Sequence, residues 1–139
     1  MLERLKYILK KYKIRDIYAF GSRGKEVAAF FRGEIDHISE SESDVDIGIY
    51  PMPGISLGIK EKVDLISDLE DLLDVKRVDL VVLPEADPFL ALEIIKGDLI
   101  FSYNLDAQAS YELFVLRRAG DLLPYKKERI RMILEEGAR

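Results

Sequence analysis

Three short stretches of the chain carry residue types that can do chemistry together. Gly21-Ser22-Arg23 comes first, Asp44-x-Asp46 second and Asp79 third. A glycine turn at the end of a strand lets backbone N–H groups and the Ser22 hydroxyl approach a phosphate closely, and Arg23 adds a charged fork. Asp44 and Asp46 stand at i and i+2, so on a strand both carboxylates project from one face. Two like charges side by side are unfavourable unless a cation is shared between them. Asp79 lies between Val78 and the run Leu80-Val81-Val82-Leu83, which puts a third carboxylate within an otherwise apolar strand. If that strand lies beside the second in compatible register, three carboxylates converge. Such a cluster suits a hard divalent ion: Mg²⁺ typically takes one or two carboxylates plus substrate phosphates, and a pair of ions clamps both the attacking and the leaving oxygen of a displacement. Taken singly, each aspartate reads as a solvated strand edge or a turn cap. Taken together, with the glycine turn upstream, they point to phosphate chemistry.

The elements that must position these residues follow from periodicity. Leu2, Leu5, Ile8, Leu9 and Tyr12 recur at helical spacing with lysines on the other faces, which predicts an amphipathic helix that packs on a core in preference to a membrane surface. Ile17 to Phe20 is a short apolar run delivered into Gly21, hence a strand and a turn. Residues 25 to 43 read as an irregular insertion: the apolar patch Val27 to Phe31 forms a short helix against the body or waits for a partner, and the polar part after Gly33 is expected to be mobile. His37 falls in that polar part and reads as a solvated loop residue.

Asp44 to Tyr50 alternates as a strand, and Pro51, Pro53 and Gly54 close it. Ile59, Val63, Ile66, Leu69 and Leu73 mark a helix, Val78 to Leu83 a strand, and Pro88 to Gly97 a helix with its stop. Leu99 to Tyr103 makes a further strand, and two closing helices follow at about 107–119 and 125–136. No repeat or linker interrupts this order. The whole of 1–139 therefore reads as one α/β (α+β) domain, a mixed twisted sheet of about four strands flanked by helices.

Composition removes several function classes. There is no Cys and a single His, so thiolate zinc sites, disulfides and histidine-ligated metal centres drop out, and any metal must be held by oxygen. The net charge of −5 hides an asymmetry: residues 1–15 and 117–139 are basic, and the centre carries −13. An acidic centre speaks against direct nucleic-acid binding there and suits a divalent cation. No apolar run approaches the ~18 residues of a spanning helix, and the first residues lack a signal peptide's apolar stretch, so the expectation is a cytoplasmic protein.

Gly21-Ser22, then Asp44-Val45-Asp46-Ile47, then Arg77-Val78-Asp79-Leu80-Val81 resembles the signature of the DNA polymerase beta superfamily of nucleotidyltransferases. More closely, the chain is similar to the minimal nucleotidyltransferases (MNT), since Leu90 to Ile94, Gly97 and Leu99 to Tyr103 match that family's usual ending. The resemblance implies that Gly21, Ser22 and Arg23 bind the triphosphate, and that Asp44, Asp46 and Asp79 are both the catalytic residues and the ligands of Mg²⁺, with two ions expected. Asp79 would also help to activate the attacking hydroxyl. Arg23 to Ser43 makes 21 residues between the glycine turn and the first aspartate, longer than the family's usual spacing, and Gly24 follows Arg23 directly.

By the same resemblance the leading function is transfer of AMP from ATP to a hydroxyl, that of a tyrosine on a helical HEPN-type toxin, with the chain as antitoxin. Two alternatives share the fold: an antitoxin that blocks its toxin by contact alone, and a small-molecule transferase of the aminoglycoside type. The latter generally needs an added helical domain to enclose its acceptor. Arg117, Arg118, Lys126, Lys127, Arg129 and Arg131 read as solvated helix faces whose clustering can meet an acidic partner.

Overall fold

A computed structural model describes residues 1–137. In chain order the elements are α1 (Leu2–Lys11), β1 (Ile14–Phe20), α2 (Gly24–Phe31), β2 (Val45–Pro51), α3 (Ile59–Leu73), β3 (Val78–Val82), α4 (Pro88–Ile95), β4 (Asp98–Ser102) and α5 (Leu105–Gly137). The four strands form one sheet in the order β3-β2-β1-β4. β1 is antiparallel to both its neighbours, whereas β2 and β3 run parallel with α3 as their crossover. This is the expected mixed α+β sheet flanked by helices.

Strand alternation divides the core. Ile17 and Ala19 of β1 and Val45, Ile47 and Ile49 of β2 face α1, α2 and α3, where Leu5, Leu9, Val27, Leu65 and Leu69 are fully buried. Each such side chain contributes about 1.5–3 kcal/mol of burial free energy, and α1 is therefore a core helix. On the other face Tyr18 packs with Ala91 and Ile94 of α4 and Val115 of α5. Gly48 lets α4 lie directly on the sheet, because a Cβ there would come within 2.5 Å of Ile94.

Two expectations about elements are corrected, and a third leaves two alternatives of which one is found. The first strand begins at Ile14, three residues before the apolar run. The charged pair at its start is buried in the sheet: the Arg15 guanidinium donates to the Asp16 carboxylate at 3.0 and 2.8 Å, and Ser102 Oγ donates to the same carboxylate at 2.5 Å. Of the two readings of Val27 to Phe31, the short helix against the body is the one found: Gly24–Phe31 form α2, with Val27, Ala28 and Phe30 buried. Finally, the two closing helices are one helix of 33 residues that runs through Pro124. Proline removes one intrahelical hydrogen bond, but the flanking Leu, Arg, Lys and Glu residues are strong helix formers. The helix is anchored to the sheet near its start, where the buried Gln108 donates to the Tyr18 hydroxyl at 2.7 Å and that hydroxyl donates to Glu112 at 3.0 Å. Among the described residues no helix is long and apolar enough to cross a membrane.

Candidate active site

Gly21, Asp46 and Asp79 meet at one end of the sheet, on the face that α4 covers further along. Asp46 and Asp79 are directly paired across the parallel β2–β3 ladder, so their side chains project together. Asp44 lies just before β2 and faces Arg77, with 3.5 Å between its Oδ1 and the guanidinium Nε. β1 ends opposite Asp46, since Phe20 is its cross-strand partner, and the next residue is Gly21.

Gly21 is at φ +73°, a conformation that L side chains rarely adopt, and an added Cβ would lie 2.2 Å from Asp46 Oδ2. Only glycine lets the turn approach that carboxylate so closely. The turn then closes with a Gly24 N–H to Gly21 carbonyl bond of 3.2 Å and passes into α2. The exposed Ser22 and the free N–H groups of the first turn of α2 are thus placed beside the acidic pair. A helix N-terminus with open N–H donors is suited to a phosphate.

Electrostatics mark Asp46. Burial comes first, and the neighbouring Asp79 and Asp44 add to it, so its carboxyl is held above the ordinary carboxylate range. A carboxylate strained by two like charges gains when a cation joins them. The donor set is all oxygen, and the three aspartates fit Mg²⁺ by chemistry. Among the described residues, however, no three acidic or histidine side chains stand as a ready-made metal cage. Asp46 and Asp79 are brought together, while Asp44 is turned toward Arg77.

Arg23 occupies a different position from the fork expected over a phosphate. It is buried, donates to the carbonyl of Ser43 at 3.1 Å and to the carbonyl of Ser39, and lies 3.6 Å from Glu26. Glu26 in turn accepts from the Ser39 hydroxyl at 2.7 Å and from the Ser39 N–H. With Ile38 buried as well, the polar part of the insertion is tied down at Ile38, Ser39 and Ser43. His37 is exposed. Arg23→Ala should therefore speed amide hydrogen exchange at residues 39–43 by at least about tenfold, while α3 and α4 exchange as before; unchanged exchange in 39–43 would show that the arginine does not hold the loop.

Sequence reasoning missed Arg77 and Glu26 as members of this region. Arg77 was legible, because it stands two residues before Asp79 and so shares its face. Glu26 carried no local signal, since its partner Ser39 is thirteen residues away across an irregular loop.

Residues 3–106 match the family model described as polymerase beta, nucleotidyltransferase. The chain belongs to the polymerase beta nucleotidyltransferase family. The family is one of nucleotidyltransferase enzymes, and the match ends just inside α5. Solved toxin–antitoxin structures share the fold. One is a MntA complex in which two aspartates two positions apart are replaced by glutamate; its chain is 18% identical, has a TM-score of 0.69, and is aligned over 95% of this chain and 97% of its own. Another is a toxin–antitoxin with AMP-PNP, 19% identical with a TM-score of 0.68 over 95% of this chain and 97% of that one. A third is a tri-AMPylated Shewanella oneidensis HEPN toxin in complex with an MNT antitoxin, 18% identical with a TM-score of 0.68 over 95% and 94% of the two chains. No curated protein matches the chain closely enough in sequence to count.

Proposed function

We propose that the chain is a Mg²⁺-dependent nucleotidyltransferase that moves AMP from ATP to a tyrosine hydroxyl of a HEPN-type toxin, and that it acts in this way as the antitoxin in the cytoplasm. The observation that carries the proposal is the approach of the Gly21 turn to Asp46, itself paired with Asp79. It supports reading the glycine turn as a phosphate-binding turn and the two aspartates beside it as oxygen ligands. Nucleotide and acceptor are drawn from the similar structures, of which one holds AMP-PNP and another an AMPylated HEPN toxin.

Asp44, Asp46 and Asp79 would hold the cation, which when bound neutralises phosphate oxygens and favours the ionised form of a nearby hydroxyl. The Gly21 turn, Ser22 and the first N–H groups of α2 bind the triphosphate, with Arg23 holding the loop alongside. Asp79, exposed beside Asp46, takes the proton of the tyrosine hydroxyl. The tyrosine oxygen then forms a bond to the α-phosphorus, the bond from that phosphorus to the bridging oxygen breaks, and pyrophosphate leaves with its electron pair. The proton on Asp79 passes to solvent.

Intact mass of the protein encoded by the adjacent gene, after incubation with this chain, ATP and Mg²⁺, tests the proposal. The expected result is a gain of one or more AMP units, absent with EDTA and absent with Asp44→Asn. Tight association without a mass change would replace transfer by blocking through contact, and neither association nor modification would redirect the assignment to a small-molecule acceptor.

A further inference from the structure

We propose that the groove between α4 and α5, continued by the exposed second half of α5, is the docking surface for an acidic amphipathic helix of the partner protein. The inference rests on the reading that the partner is a helical protein. It adds where that protein binds and what charge its docking helix carries.

The groove has a volume of about 800 Å³ and is walled by Leu90 and Leu92 of α4 and by Leu116 and Leu123 of α5. Ala119 and Gly120 also line it. Gly120 is an exposed glycine in the interior of a helix, and an added Cβ would meet nothing within 4 Å. Nothing in the chain's own packing requires glycine there, and glycine weakens a helix relative to alanine. The notch is useful to something that approaches the α5 backbone closely. Its carbonyl also lacks the usual donor four residues on, because Pro124 has no N–H.

Beyond the groove the helix continues with no body to pack on. Ile130, Met132, Ile133 and Leu134 are 47–68% exposed, a density of apolar surface that marks an interaction site. Leu116, Leu123 and Ile130 recur at intervals of seven, the spacing of a helix–helix seam. An unsupported helical arm of this length is marginal in water, which is consistent with a role completed by a partner.

Charge selects the occupant. Residues 117–131 carry Arg117, Arg118, Lys126, Lys127, Arg129 and Arg131 against Asp121 and Glu128. Arg131 is paired with Glu128 and Glu135, and Lys126 lies over the Phe89 ring at 4.1 Å, whereas the others form no ion pair among the described residues. On the α4 rim, Asp87 accepts from the N–H groups of Phe89 and Leu90, and Glu93 adds one exposed carboxylate. A second copy would set one basic arm against another, and a flat lipid surface would not enter a groove between two helices. An acidic helix with an apolar stripe matches both shape and charge.

The test is binding of the full chain to the protein encoded by the adjacent gene, with Gly120→Leu and with Lys127→Glu/Arg129→Glu. Gly120→Leu should fold with a higher melting temperature and bind ATP with Mg²⁺ as the wild type does, yet lose at least about tenfold in affinity for the partner. The double charge reversal should lose a similar factor at low salt and much of the salt dependence. Wild-type affinity in both variants overturns the docking surface while leaving AMP transfer standing. No complex with the wild-type chain overturns the partner reading and the docking surface together. The proposal also falls if the chain alone dimerises through this face, or binds phosphatidylserine vesicles through it, with the same variants abolishing the effect.

Discussion

Asp46→Asn should abolish the proposed AMP transfer, with a loss of about 10³-fold, and at the same time make the metal-free protein more stable at neutral pH. The two effects have one cause. Asp46 is half-buried between Asp79, its cross-strand partner, and Asp44, and burial together with these two charges holds its carboxyl above the ordinary range. The native chain thus binds a proton at Asp46 more readily than the unfolded chain does. Where native proteins bind more protons than unfolded ones, stability falls as pH rises, here from the ordinary carboxylate range up through the raised native value. At pH 7 the ionised Asp46 opposes folding, and asparagine removes that opposition. The wild type and the variant should accordingly differ in melting temperature at pH 7 in EDTA, with the variant higher, and converge in acid where both positions are neutral. Adding Mg²⁺ should raise the melting temperature of the wild type and narrow the gap. A variant that is less stable than the wild type at pH 7 would show that Asp46 is held by a favourable partner, and would remove the argument for a shared cation.

Much of this site is legible in the sequence, for reasons tied to particular residues. The period of two in Asp44-Val45-Asp46-Ile47 places carboxylates on one face and the core on the other, and strand β2 obeys it. That Asp46 would pair with Asp79 follows only from sheet register, which no local pattern carries, and the parallel ladder supplies it. Arg15-Asp16 hid the start of β1, because two charged residues look like surface until they bind each other in the interior. Gly120 and Pro124 look like a stop and a restart, yet α5 absorbs both. Arg23 illustrates a further limit: its hydrogen bonds to the carbonyls of Ser39 and Ser43, up to twenty residues away, carry no local signal.

Gly21→Ala should damage stability and activity together, through the contact that brings the glycine turn to the aspartate pair. Two penalties add. Alanine at φ +73° costs about 1–2 kcal/mol in a left-handed conformation, roughly 3–7 °C in melting temperature for a chain of this size. The new methyl would also lie 2.2 Å from Asp46 Oδ2 and 3.2 Å from its Cγ, so the carboxylate must swing aside or the turn must open. Either movement separates the turn proposed to bind phosphate from the aspartates proposed as ligands, and AMP transfer should fall to the level of Asp46→Asn. A double-mutant cycle separates the two penalties: truncating the carboxylate in Gly21→Ala/Asp46→Ala removes the collision but leaves the backbone strain. The double variant should be more stable than the sum of the single changes predicts, by about 0.5–3 kcal/mol of coupling. Strict additivity would mean that turn and carboxylate do not touch. An active Gly21→Ala enzyme would mean that their approach is no part of catalysis.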